Sequence, residues 1–497
     1  MGHSGLLVGL DLGTTVCKAL LLGTDLRPLA AAARPLELST LSGTEIEQDA
    51  EEWWRCAVLA VREVLAQSGC DPRDVRGIGV SSQGISFVPV GARDVPLRRA
   101  FSWLDTRAAA QRDLVQDTLG ERRVFAVTGK RCSAAYVLPK LLWLREHEPR
   151  TWGRTRRILM PLEFLHARLT GEAVTDHSMA SGTMLYDITR RQWSPEILDT
   201  FDLDRGLLPE IRQGHEAAGV LRPAAAEALG LPPGVPVAIG GQDQKVAALG
   251  AGINPDRCTV SLGTAMAINQ QCDRPVIDQE MRIPCFVDIL PRRWTLEGSA
   301  VCCSILDWAR RTFAPGVEWD ELNHRVEEAA GLQNPPMMLP FFSGSSAPFF
   351  DPQARGTLTG IDLATTPAQV IRSVYEGIAC LIRANVEVME EISRPVGELR
   401  IFGGGAKSDP WCRIIADTVR RPVSVLATSE SASVGAAVLA GVAGGVFSDP
   451  EDAFRHLSVR TSYEPRPEWA ARGDEGYAKF RSLTARLLGQ AESRRAP

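Results

Sequence analysis

The sequence lacks the cysteine patterns of metal-binding and disulfide-stabilised proteins. Its 11 cysteines are scattered along 497 residues, and only Cys302 and Cys303 are adjacent. No Cys-x-x-Cys motif occurs, and no cysteines and histidines have the spacing of a zinc site. Cysteines with this distribution are typical of reduced thiols, so we expect a cytoplasmic protein.

Long hydrophobic runs, basic clusters and low-complexity segments are also absent. The longest run of small apolar residues, 434–447, contains four glycines and falls short of a membrane span. No basic region precedes the apolar stretch at the N-terminus, which argues against a signal peptide. A net charge of −5 without a Lys/Arg cluster argues against nucleic-acid binding. The 44% hydrophobic and 23% charged residues are typical of a soluble globular protein.

One short phrase occurs twice, 250 residues apart. Asp11-Leu12-Gly13-Thr14-Thr15 follows an apolar run, and Ser261-Leu262-Gly263-Thr264-Ala265 ends another. Each copy predicts a strand that enters a tight turn, where glycine permits close approach and threonine adds hydroxyl donors beside free backbone N–H groups. Two such turns at half-chain spacing predict a duplicated fold that holds one polyphosphate from both sides.

The length and the alternation of elements support two α/β domains. A chain of 497 residues exceeds what one core normally organises, and strands alternate with helices throughout. We predict a buried strand over residues 75–81, helices over 138–145 and 411–419, and a frayed tail at 494–497. Asp49 and Glu52 are interpreted as a helix N-terminal cap. The short, glycine-bearing segment at 249–255 predicts a boundary between domains 1–249 and 250–497.

Asp243 is the clearest candidate for chemistry. It follows Gly240-Gly241-Gln242 after a predicted strand, which would place its carboxylate at the carboxyl edge of a sheet, where ligands bind in α/β folds. The alternative is a turn aspartate that bonds only to its own backbone.

Two further stretches have unusual glycine content. Residues 401–409 run from a strand through Gly403, Gly404 and Gly405 into a helix, so a flat group could lie on bare backbone while an anion meets the helix N-terminus. A packing-driven glycine turn would give the same pattern. Residues 339–356 are too irregular for an ordinary hairpin and could form a rigid loop on the substrate or nucleotide side.

Together these motifs resemble the FGGY carbohydrate kinases, of the actin-like, ribonuclease-H-like ATPase superfamily. The resemblance covers nearly the whole chain and is greatest to xylulokinases. The matches occur in the order of the family: Asp11 to Thr15; Glu47-Gln48-Asp49 before Trp53-Trp54; Trp103-Leu104-Asp105-Thr106-Arg107; Pro139-Lys140-Leu141-Leu142-Trp143; Gly182-Thr183-Met184 with Asp187 and Trp193; Gly240 to Asp243; Ser261 to Thr264; Pro352-Gln353-Ala354-Arg355-Gly356; Glu376-Gly377; and Gly403 to Ser408.

The resemblance implies two actin-like domains with ATP and a sugar in the cleft between them. It implies that Asp243 is the base that accepts the proton of a sugar hydroxyl, and that Asp11 holds Mg²⁺, through water because Mg²⁺ keeps several waters. Other implied contacts fall into three groups: Gly13, Thr14, Thr15 and Lys18 with Gly263 and Thr264 at the phosphates; Gly404, Gly405, Ala406 and Cys303 around the adenosine; and Gln83, Gly84, Trp103 and Asp105 at the sugar. A solvated Lys18 and a plain core role for Cys303 stay open.

Departures from the family pattern concern the acceptor. Xylulokinases commonly have Met-His-Gly where this chain has Ser82-Gln83-Gly84, so Gln83 takes the place of a sugar-binding histidine. Glutamine can donate and accept hydrogen bonds, which keeps a polyol hydroxyl possible as its partner. The resemblance therefore implies a ketopentose such as xylulose or a related polyol.

Three alternatives remain at this point. The chain could be a glycerol- or erythritol-type polyol kinase, an actin-like ATPase without a sugar substrate, or a catalytically silent sugar-binding regulator. The residues at the implied sugar pocket argue against the ATPase, and intact Asp11 and Asp243 argue against the regulator. Because dimers are common in the family, a homodimer is a further expectation.

Overall fold

The fold was analysed in a computed structural model that describes residues 5–330 and 335–493. The predicted frayed tail, 494–497, lies outside these residues. In the first half the strands are β1 (Leu6–Leu12), β2 (Val16–Gly23), β3 (Pro28–Pro35), β4 (Ser39–Thr40), β5 (Ile46–Gln48), β6 (Val75–Ser82), β7 (Val88–Val90), β8 (Ala100–Phe101), β9 (Arg157–Leu159), β10 (Val174–Asp176), β11 (Tyr186–Asp187), β12 (Gln192–Trp193), β13 (Glu210–Arg212), β14 (Ala217–Val220), β15 (Pro236–Ala238) and β16 (Gly241–Gln242).

Helices lie between several of these strands. In the first half they are α1 (Ala50–Ser68), α2 (Ala109–Leu119), α3 (Glu121–Thr128), α4 (Val137–His147), α5 (Pro149–Arg154), α6 (Pro161–Leu169), α7 (His177–Ser181), α8 (Pro195–Thr200), α9 (Pro223–Leu229) and α10 (Asp243–Gly250).

The second half repeats this alternation. Its strands are β17 (Arg257–Leu262), β18 (Ala265–Cys272), β19 (Cys285–Val287), β20 (Trp294–Val301), β21 (Met337–Leu339), β22 (Thr357–Thr359), β23 (Glu398–Phe402), β24 (Val423–Leu426) and β25 (Val459–Tyr463). Its helices are α11 (Cys303–Phe313), α12 (Trp319–Glu328), α13 (Pro367–Ile392), α14 (Asp409–Val419), α15 (Ser431–Ala443) and α16 (Pro467–Ser493). Across 5–330 and 335–493, no helix has the length and apolar character needed to cross a membrane.

The two large sheets have the same strand order and the same strand directions. The first runs β14-β15-β6-β1-β2-β3, and the second runs β25-β24-β23-β17-β18-β20 with β19 added beyond β20. In each, three central strands are parallel and the flanking pairs are antiparallel. The repeated Gly-Thr phrase forms the β1–β2 turn in one sheet and the β17–β18 turn in the other. The predicted duplication is therefore confirmed.

Local elements also agree with the sequence. The side chain of Asp49 accepts a hydrogen bond from the Glu51 N–H and caps α1, and Trp53 on that helix is fully buried in the core. The predicted elements at 75–81, 138–145 and 411–419 correspond to β6, α4 and α14. The irregular stretch 339–356 forms most of the connection between the antiparallel strands β21 and β22.

Helix α15 joins the two halves. It lies in the second half of the chain but packs on β1, β6 and α10 of the first. The approach is so close that a Cβ on Gly9 would lie 1.9 Å from the Ser433 carbonyl oxygen, and one on Gly79 would lie 1.8 Å from that of Ala436. Sheet membership changes between β16 and β17, near the predicted boundary at 249/250. The division into domains 1–249 and 250–497 stays a prediction, because α15 completes the layer beside the first sheet.

Candidate active site

Two carboxylates lie where parallel strands of the first sheet end. Asp11 on β1 pairs in register with Ser81 on β6, and Gly241 on β16 pairs with the same Ser81 from the other side. Asp243, two residues after Gly241, begins α10. The carboxyl ends of parallel strands meet at one edge, so Asp11 and Asp243 are brought to the same place, as the strand–turn pattern predicts.

Asp11 has an environment that favours binding of a cation. Its Oδ1 accepts a hydrogen bond of 2.8 Å from the Ser81 hydroxyl. Burial raises its pKa to about 6, against the effects of Ser81 and the nearby ammonium of Lys18. A cation in this recess would restore the ionised form that burial disfavours.

Asp243 is held in a fixed orientation. Its Oδ1 accepts hydrogen bonds from the Gln244 N–H at 2.7 Å and from the Gln242 side-chain amide at 3.0 Å. Burial, followed by the charge of Asp11, raises its pKa to about 7. The Ser261 hydroxyl donates to Gln244 Oε1 at 3.5 Å, which brings the second Gly-Thr turn toward Asp243.

The first turn is tied to the second half of the chain by an ion pair. The Gly13 N–H donates to the Val16 carbonyl at 3.0 Å and closes the turn, in which Thr15 is exposed. Lys18 on β2 donates to the carboxylate of Glu430 at 2.7 Å, immediately before α15. Lys18 is thus paired across the two halves rather than merely solvated.

The second turn borders a cavity of about 440 Å³ in the second half of the chain. The Cys303 N–H donates to the Gly263 carbonyl at 2.9 Å and the Cys302 N–H to that of Thr264 at 3.0 Å, so the turn lies against the start of α11. The residues that line the cavity are Leu262, Gly263, Thr264, Cys303, Leu306, Trp319, Asp320, Asn323, Tyr375, Gly404, Gly405, Lys407, Ser408 and Trp411.

The cavity is lined by five of the six second-half residues that were predicted to contact the phosphates or the adenosine. These are Gly263, Thr264, Cys303, Gly404 and Gly405. The sixth, Ala406, is buried and its carbonyl accepts a hydrogen bond from Arg460. A hydrogen bond with the Cys302 thiol holds the pKa of Cys303 below its ordinary value.

Sequence reasoning missed several residues of this cavity. Asn323 on α12 accepts hydrogen bonds from the Ser408 hydroxyl at 2.7 Å and the Tyr375 hydroxyl at 3.1 Å. Ser408 follows the glycine run and could have been included for that reason. Asn323 lies in a polar helix without any motif, and its position depends on how α12 packs against α13 and α14.

Gln83 belongs to a closed ring of hydrogen bonds between the first turn and the predicted sugar side. Its amide nitrogen donates to Gln48 Oε1 at 2.8 Å, and the Gln48 nitrogen donates to the Thr14 carbonyl at 2.6 Å. The Ser86 hydroxyl donates to Gln83 Oε1 at 3.1 Å and accepts from the Trp103 N–H at 2.9 Å. The Trp103 indole N–H then donates to the Thr14 hydroxyl at 2.7 Å. Gln83 and Gln48 are each 1% exposed, whereas Trp103 is 38% exposed.

Asp105 and Gly84 have different surroundings from each other. Asp105 is fully buried, accepts from the Ile46 N–H at 2.8 Å and forms an ion pair with Arg107. Because its carboxylate is already bonded to these groups of the protein, a structural role is favoured over the predicted sugar contact. Gly84 lies against the residue before Asp243, because a Cβ there would be 2.9 Å from Gln242 Cγ.

Comparisons with known proteins agree with this architecture. Residues 6–250 match the N-terminal domain of the FGGY family of carbohydrate kinases, and residues 258–444 match its C-terminal domain. The chain is 30% identical to the xylulose kinase of Bacillus subtilis over 90% of this chain and 89% of that protein. It is 30% identical to the xylulose kinase of Escherichia coli over 97% and 99%, respectively.

A solved structure shows the same fold. The crystal structure of xylulose kinase from Rhodospirillum rubrum has a TM-score of 0.90 and 27% identity, over 97% of this chain and 99% of that one. The repeated sheets, the matching turns and the full-length similarity lead to one assignment. This chain belongs to the FGGY family of carbohydrate kinases and has the two-domain actin-like ATPase fold that its motifs predict.

Proposed function

We propose that this sugar kinase transfers the γ-phosphoryl group of ATP to a hydroxyl of a ketopentose such as xylulose, with Asp243 as general base. The observation that carries the proposal is the position of Asp243, at the strand edge beside Asp11 and in contact, through Gln244, with the second Gly-Thr turn. The similarity to xylulose kinases over nearly the whole chain supports the choice of acceptor.

Asp243 has the properties of a base for an alcohol. Phosphoryl transfer needs alignment, charge stabilisation and acceptance of the hydroxyl proton. Its pKa of about 7 lies near neutral pH. At that pH a large fraction of the carboxylate is ionised, and the ionised form is still basic enough to accept a hydroxyl proton. The bonds from Gln242 and Gln244 fix one oxygen and leave the other to accept the proton as the sugar oxygen attacks the phosphorus.

The residues at Asp11 fit Mg²⁺ that is shared with the nucleotide. Within 5–330 and 335–493, no group of three or more His, Cys, Asp or Glu side chains could hold a metal ion by itself. Mg²⁺ in nucleotide sites is commonly held by one or two carboxylates, waters and phosphate oxygens, and one buried carboxylate suits that arrangement. When bound, the ion would neutralise charge on the phosphates. Asp11 would hold it, and the Ser81 hydroxyl would orient Asp11.

The two turns would hold the phosphates from opposite sides. Gly13, Thr14 and Thr15 offer backbone N–H groups and hydroxyls from the first half, and Gly263 and Thr264 do so from the second. Lys18 would bind the phosphates only after it leaves Glu430, which makes phosphate binding compete with an interdomain ion pair.

The cavity bordered by Cys303, Gly404 and Gly405 would hold the nucleoside. The bare backbone at Gly404, where a Cβ would meet nothing within 4 Å, gives a flat group room to lie closely. At Gly405 a Cβ would lie 2.5 Å from Trp411 Cζ3, so that glycine is required by packing. The exposed indole of Trp103 and the backbone at Gly84 would border the sugar, whereas Gln83 and Asp105 would support that wall from behind.

A panel of acceptors tests this function. Purified protein with Mg²⁺ and ATP is assayed for ADP release with D-xylulose, L-xylulose, D-ribulose, glycerol, erythritol, gluconate and no acceptor, and products are examined by ³¹P NMR. The proposal expects ADP release to depend on a ketopentose, with one phosphomonoester formed per ADP. Acceptor-independent ADP release, or a preference for glycerol or gluconate, would contradict it.

A further inference from the structure

Lys245 is a buried charge two residues after Asp243. Its side chain has no exposed surface, and its ammonium donates to Asn269 Oδ1 at 3.0 Å and forms an ion pair with Glu297. A lysine is seldom fully buried unless it is paired, so its presence at the start of α10 requires an explanation.

The partners of Lys245 lie in the other half of the chain. Asn269 is on β18 and Glu297 is on β20, and these adjacent strands pair at those two positions. The Lys245 ammonium also lies 4.4 Å from the centre of the Phe286 ring on β19. The first turn of α10 is therefore anchored to three neighbouring strands of the second sheet.

The Lys245 cluster lies on the side of α10 opposite to Asp243. Residues i and i+2 of a helix point in nearly opposite directions, so Lys245 anchors α10 on the side away from its first residue. Gln244, between them, contacts Ser261 beside the second turn. Gln244 and Lys245 thus each have a partner in the second half of the chain, and α10 cannot rotate or slide without breaking one of these contacts.

We infer that Lys245 is a positioning residue for the phosphoryl transfer, which fixes the carboxylate of Asp243 relative to the second sheet and its phosphate turn through Glu297 and Asn269. This inference rests on the proposed role of Asp243 as base. Lys245 and Glu297 would act through Asp243 and would not contact the substrate.

The pair also acts on the charge of Asp243. Burial and then the charges of Asp11 and Glu297 raise the pKa of Asp243, whereas the charge of Lys245 lowers it. Loss of Lys245 and loss of Glu297 should therefore shift the titration of Asp243 in opposite directions.

A second buried lysine lies on the same ring. The Lys130 ammonium is 3.9 Å from the centre of the Phe286 ring and donates to the carbonyls of Thr128 and Cys285.

The opposite signs provide the test. Lys245→Met, Lys245→Arg and Glu297→Gln are compared with the unaltered protein, with the best acceptor of the panel and saturating ATP. Lys130→Met is the matched control, because it removes a buried ammonium that lies on the same Phe286 ring but donates to backbone carbonyls rather than to Glu297. For each protein, kcat, both KM values and the pH dependence of kcat/KM for the sugar are measured.

Lys245→Met should lower kcat about tenfold or more with little change in either KM, and should move the acidic limb of the profile to higher pH. Glu297→Gln should move the limb down, Lys245→Arg should recover part of kcat, and Lys130→Met should leave the limb in place. Limbs that stay in place in both Lys245→Met and Glu297→Gln would overturn the inference, as would shifts of the same sign.

Two outcomes are kept apart by design. If Lys245→Met does not fold, Glu297→Gln decides alone, because it keeps the size of the side chain and a downward shift is still required. If Asp243→Asn retains turnover, the proposed base is wrong; if it loses turnover while the limbs stay in place, only the role of Lys245 is wrong.

Discussion

Gln83→Ala tests whether this glutamine links two parts of the site or binds the sugar directly. The change removes the amide that donates to Gln48 and accepts from Ser86. Each net hydrogen bond contributes about 0.5–1.5 kcal/mol, and a buried polar group left without a partner costs about 1–3 kcal/mol. Because both partners are buried, we expect the free energy of unfolding to fall by about 2–4 kcal/mol.

The same change should affect both substrates. Gln48, once it loses Gln83, is a weaker support for the Thr14 carbonyl in the first turn, and Ser86 is a weaker support for the backbone of Trp103. We therefore expect higher KM values for ATP and for the sugar. If Gln83 bound the sugar directly, as the sequence alone predicts, its loss would raise only the KM for the sugar.

Urea denaturation and initial-rate kinetics measure these effects. Gln111→Ala is a matched control. Gln111 on α2 is also buried, and its amide donates to the carboxylate of Glu146 on α4 at 2.7 Å. It should lower stability without changing either KM. An unchanged free energy of unfolding in Gln83→Ala, with only the KM for the sugar raised, would refute the linking role.

Three other predictions concern the cleft. Glu430→Gln should lower the KM for ATP by up to about fivefold, because a partly exposed ion pair such as Lys18–Glu430 contributes about 0.2–1 kcal/mol; an unchanged KM would argue against Lys18 as a phosphate ligand. The value of kcat/KM for the sugar should rise as the pH rises through about 7, because burial raises the pKa of Asp243 and only its ionised form accepts a proton; a flat profile from about pH 5 to 9 would contradict this. Iodoacetamide should modify Cys303 by mass spectrometry and ATP should protect it, with Cys303→Ser as control; labelling that ATP does not slow would place the nucleotide elsewhere.

The fold could be predicted largely because its signals are local. The Gly-Thr turns, the Asp49 cap and the alternation of strands and helices depend on a few neighbouring residues each. The packing of α15 on the first sheet could not be predicted, because it depends on contacts between residues far apart in the chain, such as Gly9 with Ser433 and Gly79 with Ala436. One trace of it in the sequence is the lack of a side chain at positions such as Gly9 and Gly79, where the helix backbone approaches.

The same distinction applies to the site. Asp11 and Asp243 follow strands, and their motifs predict the edge that they share. The partners of Gln83 and Asp105 were not predictable, since Gln48 lies 35 positions from Gln83 and the Ile46 N–H lies 59 from Asp105. A buried polar side chain and a ligand contact have the same sequence signal, and only the partners supplied by the fold distinguish them.

Asp243→Asn tests the central claim most directly. The substitution keeps the shape of the side chain and its bonds to neighbouring amides but removes the proton acceptor. In rapid-quench single turnovers with saturating ATP and the best acceptor, the rate of phosphoryl transfer should fall by about 10²–10⁴-fold, while calorimetry shows that both substrates still bind. A rate of transfer close to that of the unaltered protein would contradict the account.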